Sequence, residues 1–149
     1  MNRSAGVLMH VSSLPSNYGI GTFGKEAYAF VDFLKEAGQT YWQMLPLHPT
    51  GFGNSPYQAL SSFSGNPYLI DLDMLIEDGL LRKGEVEDID WGKDVSKVDY
   101  GKLYENRFAV LEKASRRLAS QKSEDYFTFL EEEKEWLKDY ATFMAIKED

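Results

Sequence analysis

Two short apolar runs, Gly6 to Val11 (GVLMHV) and Tyr41 to Leu47 (YWQMLPL), flank a segment with helical spacing, and this order leaves the chain few folds. Between Lys25 and Ala37 the apolar residues Ala27, Phe30, Val31, Leu34 and Ala37 fall on one stripe of an amphipathic helix, and Gly38 supplies the residue at which such a helix stops. The flanking runs are too short for useful helices and are bounded by Gly, Ser and Pro, so they read as buried strands. Two strands joined by a helical crossover lie parallel, and strand, helix, strand within about forty residues is a βαβ unit. The first part of the chain is therefore α/β.

Composition changes at Ile76. All 5 prolines and 8 of the 12 glycines fall in the part that ends there, whereas 13 of the 16 basic and 19 of the 24 acidic residues follow it, so a turn-rich aromatic part gives way to a charged helical one. Thr50 to Leu75 (TGFGNSPYQALSSFSGNPYLIDLDML) shows little periodicity and reads as a long loop after a strand, where parallel α/β folds place function. Further on, Tyr104, Phe108, Leu111 and Leu118 mark one helix. Ser123 with Glu124 and Asp125 marks the N-cap and acidic first turn of a second, with Tyr126, Leu130, Leu137, Tyr140 and Met144 on its apolar face. The expected division is residues 1–76, a βαβ unit with a long aromatic loop, and residues 77–149, mostly helical.

Several functions are disfavoured at once. A formal charge of −8 gives no general hold on a polyphosphate backbone, so nucleic acid is not an expected partner. The absence of cysteine removes disulfide scaffolds, thiolate metal sites and thiol catalysis, and fits a reducing, cytoplasmic compartment. The opening residues begin like a signal peptide, yet the run Gly6 to Val11 is six residues long and contains His10, so neither a secretory segment nor a membrane span is expected. At 43% apolar and 14% aromatic the chain can fill a core.

Gly19, Gly21 and Gly24 spell the GxGxxG of a dinucleotide-binding loop. That motif follows its strand almost directly, whereas here the stretch from Ser12 to Tyr18 intervenes, and Gln39 to Asn54 contains no acid for a ribose. The glycines read more simply as turn residues before a helix. His10 and His48 belong to no metal-like cluster and read as structural residues, with a substrate hydrogen bond as the other reading. Asp71 and Asp73 would share one face of an extended segment, but nothing pairs them with a base or metal, so Asp71 reads as a tie to backbone N–H groups. No metal site and no cofactor is expected.

The aromatics carry more. Phe52, Tyr57, Phe63 and Tyr68 interleave with Asn54, Ser55, Gln58 and Asn66, and rings beside amides and hydroxyls are what a sugar site requires: a flat apolar face, with polar groups for hydroxyls. A loop that packs its own rings has the same composition. Both readings stand on these residues alone.

The words SSLPSNYGIG, YWQMLPLHPTG, GNSPYQ and GNPYLIDL, with VDYGKLYENRF and the closing WLKDYATFMAIKED, strongly resemble the N-terminal region of the 4-alpha-glucanotransferases, or amylomaltases, of glycoside hydrolase family seventy-seven. The resemblance implies the N-terminal part of a (β/α)8 TIM-type barrel whose first two strands are the two apolar runs, with a mostly helical inserted subdomain from about Glu77 onward. It implies a cofactor-free, retaining transfer of α-1,4-glucan segments between maltodextrins, through an Asp nucleophile, a Glu acid/base and a third Asp. In the family those acids lie beyond position 149, and a barrel needs about 250 residues, so the chain reads as a fragment that is inactive alone. By resemblance, Tyr57 matches a tyrosine lining a donor sugar subsite, Ser55 a hydroxyl on the same loop, and Gln58 an assisting group. Phe52 and Tyr104 match an aromatic pair that binds glucan outside the main cleft, with Phe52 replacing a tyrosine. A non-catalytic glucan-binding module is the alternative. Open strand edges and an uncovered apolar face also lead us to expect that the chain by itself self-associates or is partly disordered.

Overall fold

The computed structural model describes residues 3–51, 53–121 and 123–148. Among them the order is β1 (Gly6–Leu8), a 3₁₀ turn (Val11–Ser13), α1 (Lys25–Glu36), β2 (Tyr41–Gln43), a second 3₁₀ turn (Pro67–Leu69), α2 (Leu72–Glu77), a third (Lys83–Glu85), α3 (Tyr100–Gln121), α4 (Glu124–Glu132) and α5 (Lys134–Glu148). The strands pair in parallel, Gly6 opposite Tyr41, Val7 opposite Trp42 and Leu8 opposite Gln43, as the crossover helix demands. The helix ends as its sequence predicts. Gly38 takes a φ of 69°, its N–H bonds to Lys35 O (3.1 Å), and Gln39 N–H bonds to Leu34 O (2.9 Å), the two bonds of a Schellman motif.

The strands are shorter and less buried than their apolar runs suggest. Each is three residues long; beyond the first, His10 caps a 3₁₀ turn. Only the face carrying Val7 and Trp42 is shielded; there α1 lays Phe30 edge-on to Trp42, 4.9 Å between centroids. On the opposite face Leu8 and Tyr41 are mostly exposed.

The break at Ile76 falls inside α2, and the core crosses it. Val11, Leu14, Tyr18 and Ile20 pack with Leu69 and Leu72, then with Leu81, Val86 and Trp91, and with Leu103, Val110 and Ala114 of α3. The buried stripe of α3 is Leu103, Arg107, Val110 and Ala114; of the apolar residues that mark the helix in the sequence, Leu111 and Leu118 flank this stripe, partly buried, and Tyr104 faces outward. Arg107 is fully buried. Its guanidinium donates to Tyr18 O (3.4 Å) and Ile70 O (2.5 Å) and lies 5.8 Å above the Trp91 ring. Burial pulls its pKa down to about 10, against the opposing pull of Asp71.

Ser123 caps α4 as expected, accepting Tyr126 N–H. The single second helix is instead two, broken at Glu133. That residue closes α4 by donating to Phe129 O and opens α5 by accepting Leu137 N–H, while its carboxylate takes the Trp136 indole. No residue of α4 or described side chain of α5 is fully buried.

Candidate functional site

The long segment after β2 is not one loop. Its last third is ordered by two caps. Asn66 accepts Tyr68 N–H (3.0 Å) and starts a 3₁₀ turn, and Asp71 accepts Met74 N–H (2.9 Å) and starts α2. Asp71 and Asp73 therefore lie on a helix start rather than on an extended segment, and both tie α2 to the loop before α1: Thr22 donates to Asp71, and the Tyr18 hydroxyl to Asp73. Burial, and then this bond to Asp73, raise the Tyr18 pKa well above its ordinary value.

The three glycines of the GxGxxG run serve this packing. Gly19 has a φ of 78°, and a Cβ on Gly21 or Gly24 would come within 2.1 Å of Val11 O or 2.0 Å of the Asp71 carboxylate. They are closed against protein, with no room for a pyrophosphate.

Residues 50–51 and 53–59 form a hairpin beyond the carboxyl end of β2. Thr50 and Ala59 pair antiparallel, and Gly51 N–H bonds to Gln58 O (3.3 Å). Gly53 and Asn54 turn the chain with φ of 92° and 55°, left-handed values that cost little for glycine and asparagine. Ser55 then accepts Tyr57 N–H on its hydroxyl (3.4 Å) and Gln58 N–H on its carbonyl (3.2 Å). Ser55, Tyr57 and Gln58 thus share one turn, and the Tyr57 ring stands out at 72% exposure. Phe52 lies outside the described residues.

Of the other described rings in the segment, Tyr68 is packed and Phe63 is as exposed as Tyr57. Tyr68 is buried against Phe108 (5.3 Å) and Tyr100 (6.3 Å), and Phe63 stacks on Trp136 of α5 at 6.0 Å and 20°. Tyr104 is mostly exposed on α3, edge-on to Phe108 at 6.4 Å. His48 donates from Nδ1 to Ser64 O (3.4 Å), and His10 accepts Ser12 N–H (3.2 Å), so both histidines have structural bonds.

Between the hairpin, the end of β1 and the first turn of α3 is a cleft of about 210 Å³. His10, Ser12, Ser13, Asn54, Asn66 and Tyr100 line it, with Leu45, Pro46 and Leu69 among its apolar walls. Sequence reasoning missed this assembly, and Tyr100 with it, because its parts come from four separated stretches. Residues 37–70 contain no Lys, Arg, Asp or Glu, so the hairpin and its surroundings present an uncharged surface in an otherwise acidic chain. A larger, open depression on α4, beside Phe127 and Thr128, is lined by three carboxylates. Among the described residues no three His, Asp or Glu side chains could hold a metal, and no helix is long and apolar enough to cross a membrane.

Parallel strands joined by a crossover helix and followed by an uncharged aromatic hairpin define a segment of an α/β protein. Residues 9–149 match the family model described as 4-alpha-glucanotransferase, and the chain belongs to that family. It is 51% identical over 139 residues to a 4-alpha-glucanotransferase of Clostridium butyricum, covering 93% of this chain and 28% of that protein. Against the enzyme of that name from Thermus thermophilus it is 49% identical over 149 residues, covering 97% of this chain and 29% of the relative. The fold is similar, with a TM-score of 0.94 and 51% identity, to an amylomaltase from Streptococcus agalactiae solved in complex with acarbose, over 99% of this chain and 30% of that one. The chain spans less than a third of the length of these relatives.

Proposed function

We propose that this chain forms the first βα portion of a (β/α)8-barrel 4-alpha-glucanotransferase, with residues 77–149 as a helical subdomain beside the cleft, and that it supplies aromatic contacts to an α-1,4-glucan. The observation that carries the reading is the Tyr57 ring, exposed to solvent on an uncharged hairpin at the carboxyl end of β2. In barrels of this type the strand ends are where substrates meet the protein. Tyr57 stacks on a glucosyl ring, and Ser55 and Gln58 bond to its hydroxyls. Phe52 and Tyr104 hold glucan further out. Retaining transfer needs a carboxylate nucleophile, and no acid stands in the 37–70 segment. By the family resemblance none of the chain's acids matches the catalytic carboxylates, so the 149-residue chain alone is inactive, and its exposed Leu8 and Tyr41 face and open strand edges pair with a second copy.

The test is steady-state kinetics on maltotriose in the enzyme that carries this chain. Tyr57→Ala lowers kcat/KM roughly tenfold or more, since an aromatic contact contributes on the order of 1 kcal/mol beyond its area. Phe52→Ala leaves short maltodextrins almost unaffected. Equal losses for the two would reverse the assignment. Maltotriose turnover by the purified 149-residue chain would end the proposed inactivity, and a monomer in light scattering would end the pairing.

A further inference from the structure

The cleft beside the hairpin holds polar groups that the fold does not use. His10 accepts Ser12 N–H on Nδ1, so the neutral ring carries its proton on Nε2, which has no partner among the described residues. The hydroxyls of Ser12, Ser13 and Tyr100 likewise have none among those residues, nor does the side-chain amide of Asn54; Asn66 uses its Oδ1 on Tyr68 N–H, which leaves its NH₂ free.

The chemistry of this lining selects its occupant. None of the twelve lining residues is Lys, Arg, Asp or Glu, so an ionic ligand would leave water without a counter-charge, and a metal would find no carboxylate. An apolar ligand would strip water from seven polar side chains, Thr50 among them, and return no hydrogen bond. A neutral polyol satisfies both conditions, since each hydroxyl donates and accepts, and the C–H face of its ring can rest on Leu45, Pro46 and Leu69. At about 210 Å³ the cleft lies below the roughly 300–1,000 Å³ of sites for drug-sized ligands, which suits one sugar ring rather than a stretch of chain.

We propose that this cleft, formed by His10, Ser12, Ser13, Asn54, Asn66 and Tyr100, binds one glucosyl unit of the glucan that Tyr57 contacts. The inference rests on the reading of the chain as a glucan-binding segment and adds the residues that hold a further sugar. Asn54 joins the two positions, because it lines the cleft and lies three residues before Tyr57 on the same hairpin.

The chain has only two histidines, and one is an internal control. In a ¹H–¹³C titration of the 149-residue chain with maltotriose, the His10 Cε1–H resonance shifts saturably, while His48, bonded to Ser64 O, stays fixed. Ser12→Ala removes a hydroxyl without touching the backbone bonds of the 3₁₀ turn and weakens binding roughly three- to tenfold. Tyr100→Phe gives a similar loss, and thermal melts show that both variants fold. Saturable shifts at Tyr57 with His10 unmoved and unchanged binding by Ser12→Ala would overturn the cleft and leave the Tyr57 reading intact. No shift at either position would sink both, and equal drift of His10 and His48 would count against the cleft.

Discussion

Two similar words in one segment meet opposite fates. Asn54, Ser55, Pro56 and Tyr57 end in a ring that is 72% exposed, whereas Asn66, Pro67 and Tyr68 end in one that is 8% exposed. Both begin with an asparagine and a turn, so the local chemistry does not decide. The residues on the C-terminal side of each ring do. After Tyr68 come Leu69, Leu72, Leu75 and Ile76 at helical spacing, and this stripe draws the second tyrosine into the core. After Tyr57 come Gln58 and Ala59, which offer the core nothing comparable. Exposure of a ring in such a segment is thus a property of its C-terminal neighbours, and it separates a ring free for a ligand from one that holds the fold.

The sharpest way to break this contrast is to remove each ring. Tyr68→Ala is expected to lose about 3–5 kcal/mol of stability, as buried aromatics do, and Tyr57→Ala less than about 0.5 kcal/mol, as exposed side chains do. Urea unfolding of both variants measures the gap, and a large loss for Tyr57→Ala would show that its ring is packed. Activity inverts the order, with the tenfold loss expected at Tyr57.

Acid sharpens the contrast next. The uncharged hairpin has no carboxylate to titrate, but the anchored part is fastened near Leu80 by Arg117, which pairs with Glu85 at 2.7 and 2.8 Å. Hydrogen bonds from Arg117 and from Arg82 N–H hold the Glu85 pKa down at about 2, against 4.5 ordinarily. A lowered folded-state pKa means stability that is present above pH 4.5 and lost as pH falls towards 2. Glu85→Gln should therefore be less stable than the parent at pH 7 and converge with it near pH 2, as melting curves across that range would reveal. A constant gap would place the pair outside the stabilising network.

The smallest effect concerns the ring between the two words. Phe63 stacks on Trp136, and a double-mutant cycle to alanine should return a coupling of about 0.5 kcal/mol, the low end for aromatic pairs because Phe63 is largely exposed. Zero coupling would free Phe63 as a second ring for glucan.

Local signals were legible and tertiary ones were not. The stripe and glycine stop of α1, the parallel pairing of its flanking strands and the Ser123 cap each rest on a few adjacent residues, and each stands in the structure. The Asp71 tie was visible too, but α2 is six residues long, too short for periodicity to show. Arg107 hid the true stripe of α3, because its partners lie 89 and 37 positions away and nothing near it announces burial. The hairpin's aromatic words marked Ser55, Tyr57 and Gln58; the cleft stayed hidden, since only the closed fold brings His10, Asn66 and Tyr100 together.

Arg107 has a consequence for how the chain assembles. Its cation is held by backbone oxygens and an aromatic face rather than by a direct ion pair, and the oxygens belong to two distant segments. A partly assembled chain offers it no substitute for water, so it must stay hydrated until the Tyr18 loop and the turn ending at Ile70 are both in place. Docking of α3 is then all-or-none: a helix that forms early waits undocked, and the last water leaves the guanidinium only when both segments close on it.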